Sequence, residues 1–148
     1  MKIRHLEASI FEQFPEDIKQ LLLSSGVVPV VDPFMQLYSL PQGTNMVICI
    51  GGRGGAKSHE ISQFAVEDAT IRDRRVAVLR DEKETIRESI LNEIFIRFDN
   101  GFKQGHFPNK FEKSERGIKS KDTGNMAVFT KGFRASSNLK RTNLKGVS

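Results

Sequence analysis

The chain has 148 residues, 38% hydrophobic and 28% charged, which is one domain's worth of polypeptide and too little for two substantial domains. A single cysteine, Cys49, excludes an internal disulfide framework and makes an intracellular setting the default; its place in the apolar run MVICI reads as packing, not reactivity. The net charge of +5 divides unevenly: residues 1–100 carry 12 Lys/Arg against 15 Asp/Glu, a balance of −3, whereas residues 101–148 carry 11 against 3, a balance of +8. Such a basic block suits an anionic partner, most commonly a nucleic-acid backbone, and equally suits a solvated hairpin that keeps the chain soluble. No run of about 18 apolar residues occurs and the opening MKIRHLEASIFEQF contains acids, so neither a membrane span nor a signal peptide is expected. His5, His59 and His106 are scattered without cysteine neighbours and suggest no metal site.

In chain order, PEDIKQLLLSS is the first predicted helix. Pro15 and two acids open its first turn, Ile18, Leu21 and Leu22 share a face, and Gly26 ends it. The following VVPVVDPFMQLYSLPQGTN holds three prolines and reads as an extended connector, not a sheet interior. Met46 to Ile50 is short, apolar and β-branched, the pattern of a strand buried on both faces. After a glycine loop, Ile61, Phe64, Ala65 and Ala69 recur at helical spacing. RRVAVLR then supplies a second strand, and DEKETIRESILNEIFIRF a second helix with Ile86, Ile90, Leu91, Ile94, Phe95 and Phe98 on one stripe and Asp81 and Glu84 at its start. Strand and helix in alternation predict an α/β domain with a mainly parallel sheet. From Gly101 the texture becomes turn-rich, and the segments around Phe111 to Lys119 and Met126 to Phe129 read as a polar hairpin.

The loop carries the chemistry. Gly51, Gly52, Arg53, Gly54, Gly55, Ala56, Lys57 and Ser58 match the pattern G-x-x-x-x-G-K-[ST] everywhere except at Ala56. In that pattern successive backbone N–H groups curl around a phosphate at the positive end of a helix, the lysine reaches the β and γ phosphates, and the Ser hydroxyl binds Mg²⁺. An alanine in the sixth place adds only a methyl group, acceptable if that residue has helical φ and ψ. Arg53, four residues before the lysine, is placed to stabilise charge at a γ-phosphate as an arginine finger does. The competing readings are a glycine-rich turn that happens to precede a lysine, and an Arg53 that lends only general positive potential.

GGRGGAKS, the following RRVAVLRDEKETIRESILNEI and the later MAVFTKGFRASSNLKRTNLKG together resemble the N-terminal ATPase region of phage terminase large subunits, over roughly Asn45 to Gly146. Arg80 and Ser89 stand where that family has a strand-ending arginine and an early helical serine; Phe129, Lys131, Gly132, Lys140 and Lys145 echo its "KG" turn and Lys-rich run. The resemblance implies a P-loop NTPase fold of the RecA/ASCE type, a parallel sheet flanked by helices, with residues 1–44 as N-terminal helix and connector and 45–148 as part of the ATPase domain. It implies ATP and Mg²⁺ as cofactors, double-stranded DNA translocated into a procapsid, the small terminase subunit and portal protein as partners, a homo-oligomer at full length, and the host cytoplasm as its place. By the same resemblance Lys57 holds the β and γ phosphates, Ser58 the Mg²⁺, the backbone of Gly51 to Ala56 the phosphate oxygens, and Gln42, or second Gln36, the adenine.

Two expected parts have no counterpart in these residues: a metal-dependent nuclease domain, and the apolar strand ending in paired acids that holds Mg²⁺ and positions water for phosphoryl transfer. Asp81 and Glu82 read as a helix start instead. The expectation is therefore an incomplete sheet and at most weak nucleotide binding, from a truncated or split reading frame or a shortened chain. The alternative is a non-catalytic nucleic-acid-binding or regulatory protein with a vestigial loop, its contacts to phosphates made by Lys140, Arg141 and Lys145. A small-molecule kinase or GTPase fits less well, because its base-specificity motif is not found.

Overall fold

The structure, a computed structural model, describes residues 2–51, 56–80 and 90–132. The first helix is found as expected: α2 spans Glu16–Ser24, with Glu16 and Asp17 complementing the positive end of its dipole. It is flanked by elements that the sequence pattern hid. β1, Arg4–Glu7, pairs in parallel with β2, Val27–Val30, in the register Arg4↔Val27 to Glu7↔Val30, and a one-turn helix α1, Ala8–Phe11, follows β1. The expectation of an extended connector is thus corrected at Val27–Val30. Pro29 is accommodated because each strand of a two-stranded sheet is an edge, so its missing N–H can face away from the ladder. Val28 and Val30 point inward and are buried. The connector continues as a 3₁₀ helix, Asp32–Tyr38, with Pro33 in its first turn.

The second layer is a four-stranded sheet in the order β3-β6-β5-β4, with β3 at Val76–Arg80, β4 at Phe111–Ser114, β5 at Gly117–Ser120 and β6 at Met126–Gly132. β3 and β6 run parallel, from Val76↔Val128 to Arg80↔Gly132, while β4–β5 and β5–β6 are antiparallel. The domain is α/β as expected, but its sheet is mixed where a mainly parallel one was predicted. Met126–Gly132 does pair back on β5 as the expected hairpin arm, but it is not polar: Ala127, Val128 and Phe129 are buried within the sheet. The β4–β5 hairpin, by contrast, forms where the turn-rich texture placed it.

Two helices cover the sheet: α3, Lys57–Thr70, and α4, Leu91–Lys103. Val66 and Ala69 of α3 and Ile94 and Phe98 of α4 meet Phe107, Phe111, Ile118, Ala127 and Val128 in one core, with Ile90 packed against it. The predicted stripe therefore holds for Ile90, Leu91, Ile94 and Phe98; Asp81, Glu84 and Ile86 lie outside the described residues. Two glycines let the parts close. A Cβ at Gly101 would overlap the Phe107 ring, and one at Gly117, whose φ is 152°, would overlap the carbonyl of Val128 on the neighbouring strand.

One predicted element is not found. Met46 to Ile50 joins no strand ladder among the described residues, and Met46, Ile48 and Ile50 are 77%, 74% and 92% exposed. β-propensity expresses fit to a half-buried sheet, so an apolar β-branched run without a neighbouring strand has nothing to convert it into one. Among the described residues no helix is long and apolar enough to cross a membrane.

Candidate phosphate-loop site

Lys57 and Ser58 occupy the first turn of α3, where backbone N–H groups lack intrahelical partners and the dipole favours an anion. The helix is entered through Ala56, at φ 62° and ψ 10°, and its first turn is tied by Glu60 N–H donating to the Ala56 carbonyl at 3.0 Å. Ala56 is therefore left-handed, which corrects the expectation of helical φ and ψ. The sixth loop position reverses the chain just before the helix, and a residue with a Cβ does this at a cost of about 1–2 kcal/mol.

Lys57 reaches back to the first residue of the motif. Its ammonium donates to the carbonyl of Gly51, the first loop residue, at 2.5 Å, and a Cβ on Gly51 would stand 3.3 Å from Nζ. The two ends of the motif are thus joined across the loop by its cation, with Ser58 exposed beside it. Gly52, Arg53, Gly54 and Gly55 lie outside the described residues. Gln42 is exposed in a turn closed by Thr44, whose N–H and hydroxyl both donate to the Pro41 carbonyl, at 3.2 and 2.7 Å; Gln36 is exposed on the 3₁₀ helix. Cys49 is half-buried, while Arg80 closes β3 opposite Gly132. Ser89, Lys140, Arg141 and Lys145, and the acids Asp81 and Glu82, lie outside the described residues.

Sequence reasoning missed the acids of α3. Glu60 and Glu67, seven residues apart on one face, are each 1% exposed. Glu67 accepts from Gln63 Nε2 at 2.8 Å and meets His5 Nε2 at 2.8 Å, and the His5 ring stacks on Tyr38 with centroids 3.6 Å apart. Burial, ahead of the charges of Glu67 and Glu60, pushes the Tyr38 phenol well above its ordinary range. Glu60 accepts from the Val31 N–H at 3.2 Å and meets His59 Nδ1 at 3.1 Å, while His59 Nε2 faces Arg97 Nη1. Because a guanidinium can only donate, His59 Nε2 accepts and its Nδ1–H donates to Glu60. These bonds fasten the β1–β2 layer and α4 to the helix that begins at the loop. A signal was present in the spacing Glu60, Gln63, Glu67, which sets three polar residues on one face of α3. Among the described residues, no group of three or more His, Cys, Asp or Glu is placed to hold a metal ion.

The fold and the site together define an α/β domain in which a glycine-rich loop, bridged by its own lysine, opens a core helix. Residues 43–146 match the family described as phage terminase large subunit, and the chain belongs to that family. Membership makes it a component of the phage packaging machinery, in a family that is ATPase-type and depends on ATP, and whose partners are DNA and other packaging proteins. No curated protein matches the chain.

Proposed function

We propose that residues 51–58 bind the phosphates of ATP and that the chain is the N-terminal ATPase part of a P-loop motor that moves double-stranded DNA into a procapsid. The observation that carries this reading is the Lys57 ammonium spanning the loop to the Gly51 carbonyl at the head of α3. An ammonium resting on a backbone carbonyl can exchange that neutral acceptor for charged phosphate oxygens, and the first-turn N–H groups supply further donors.

On this reading Lys57 holds the β and γ phosphates, Ser58 ligates Mg²⁺, the backbone of Gly51 to Ala56 surrounds the phosphate oxygens, and Arg53 stabilises charge at the γ position. ATP supplies the scissile phosphoanhydride. Gln42 is assigned to the adenine, residues 1–44 to an N-terminal unit, and residues 45–148 to the ATPase part; the small terminase subunit, the portal and further copies of the motor complete the assembly. Activation of the attacking water has no assigned residue in this chain, so binding, not turnover, is the property to measure. The fit of Ser58 to Mg²⁺ rests on one hydroxyl.

The test is Mg²⁺-dependent binding of a non-hydrolysable ATP analogue to the 148-residue chain and to Lys57→Ala. Losing a charge-assisted contact implies roughly a tenfold or greater weakening. Absence of binding to the parent, or equal binding to the variant, would favour the alternative of a nucleic-acid-binding protein with a vestigial loop.

A further inference from the structure

On the side of α3 that faces α2 and β2, the helices and strand line an open-sided cavity of about 370 Å³. Its apolar wall is Leu23, Val28 and Pro29; its polar wall comes from α3 and α4. Two fixed cations, Arg97 and Lys103, line it, and no Asp or Glu does so among the described residues. Amide side chains of Asn100 and Gln104 stand on the same helical face, one turn apart. Both lining histidines have committed ring nitrogens: His59 bridges Glu60 and Arg97, and His106 Nε2 is held by the Leu23 carbonyl at 2.5 Å.

Arg97 is the informative member. One Nη donates to His59, and Nε, buried without a hydrogen-bond partner among the described residues, forms an ion pair at 4.0 Å with Glu93 Oε2, which is likewise buried and without one. A guanidinium presents five donors in a planar fork that matches an oxyanion, more than one bond to His59 and one 4.0 Å ion pair employ. We propose that this cavity is a binding site for a small oxyanion, a phosphate or carboxylate group, seated on Arg97 with Lys103 and the amides of Asn100 and Gln104 around it. It is separate from the phosphate loop, and the two fail or succeed independently.

The test uses the 148-residue chain carrying Lys57→Ala, which removes the loop's lysine, titrated with inorganic phosphate and with acetate while the ¹H–¹⁵N spectrum is followed. Saturable shifts of the Asn100 and Gln104 side-chain amides are expected, with the tighter of the two probes identifying the group. Adding Arg97→Gln should weaken binding about tenfold, the equivalent of one charge-assisted contact. Because Arg97 also braces His59, Lys103→Gln, at an exposed position, gives a second reading that does not disturb the core, with several-fold weakening expected. Shifts that fail to saturate with either anion, or affinity unchanged in both variants, would overturn the proposal.

Discussion

Two apolar, β-branched runs of five residues meet opposite fates in this molecule. VAVLR, Val76–Arg80, pairs with β6 over its whole length and packs Val76 and Val78 against the core, whereas MVICI, Met46–Ile50, leads into the glycine loop mostly exposed and in no ladder among the described residues. Both are short and mostly apolar. What separates them is a neighbour: β6 offers VAVLR a ladder and a partly buried face, and no described strand offers the same to MVICI. A strand is thus a property of a pair, and the order in the sheet decides where strand propensity is realised.

The largest effect should come from testing that contrast directly. Ile94 is fully buried in the core, so Ile94→Ala should cost on the order of 3 kcal/mol through lost burial and the cavity left behind. Ile50, 92% exposed, should tolerate Ile50→Ser within about 0.5 kcal/mol. Urea unfolding of the two variants measures both. If Ile50→Ser destabilised the chain as much as Ile94→Ala, MVICI would be packed in solution and the contrast would collapse.

A smaller effect should appear where the exposed run meets the helix. Ala56 holds a left-handed conformation that glycine adopts freely, so Ala56→Gly should stabilise the chain by about 1 kcal/mol, against the usual direction for glycine, which costs backbone entropy. An unchanged or lower urea midpoint would mean that the loop enters α3 by another path.

These elements also show what the sequence could reveal. α2, α3, α4, β3 and the β4–β5 hairpin were legible because local signals and packing agree: helical periodicity at Ile90, Leu91, Ile94 and Phe98, and a short apolar run at Val76–Arg80. β1 was not legible, because RHLE has little apolar patterning and its pairing depends on β2, whose own signal was masked by Pro29. β6 was read as polar from its flanks, although Ala127 to Phe129 form the buried middle of the sheet. At the site, Lys57 and Ser58 were singled out by spacing alone, whereas family membership follows from the match over residues 43–146. The Lys57–Gly51 contact and the left-handed Ala56 needed three dimensions, as did the buried Glu60 and Glu67, because a carboxylate's burial is decided by partners such as His5 and Val31 that lie far away in the chain.

The smallest effect concerns how the N-terminal layer is tied together. Asp32 accepts hydrogen bonds from the Ser9 hydroxyl and, at 3.1 Å, from the Ser9 N–H, joining α1 to the start of the 3₁₀ helix. The Ser9 hydroxyl bond, ahead of the backbone one, holds the Asp32 carboxyl below its ordinary value of 3.8. A carboxyl whose pKa is lowered by folding stabilises the fold above the unfolded value, and that contribution is lost as pH falls through the lower folded value. Ser9→Ala should therefore be less stable than the parent at neutral pH, with the gap shrinking once the pH drops below 3.8. Urea midpoints of the pair across that range measure it. The group is fully exposed, so solvent screens the interaction and the gap should be the smallest of those predicted. A gap that widened on acidification would mean that Ser9 acts through something other than the charge of Asp32.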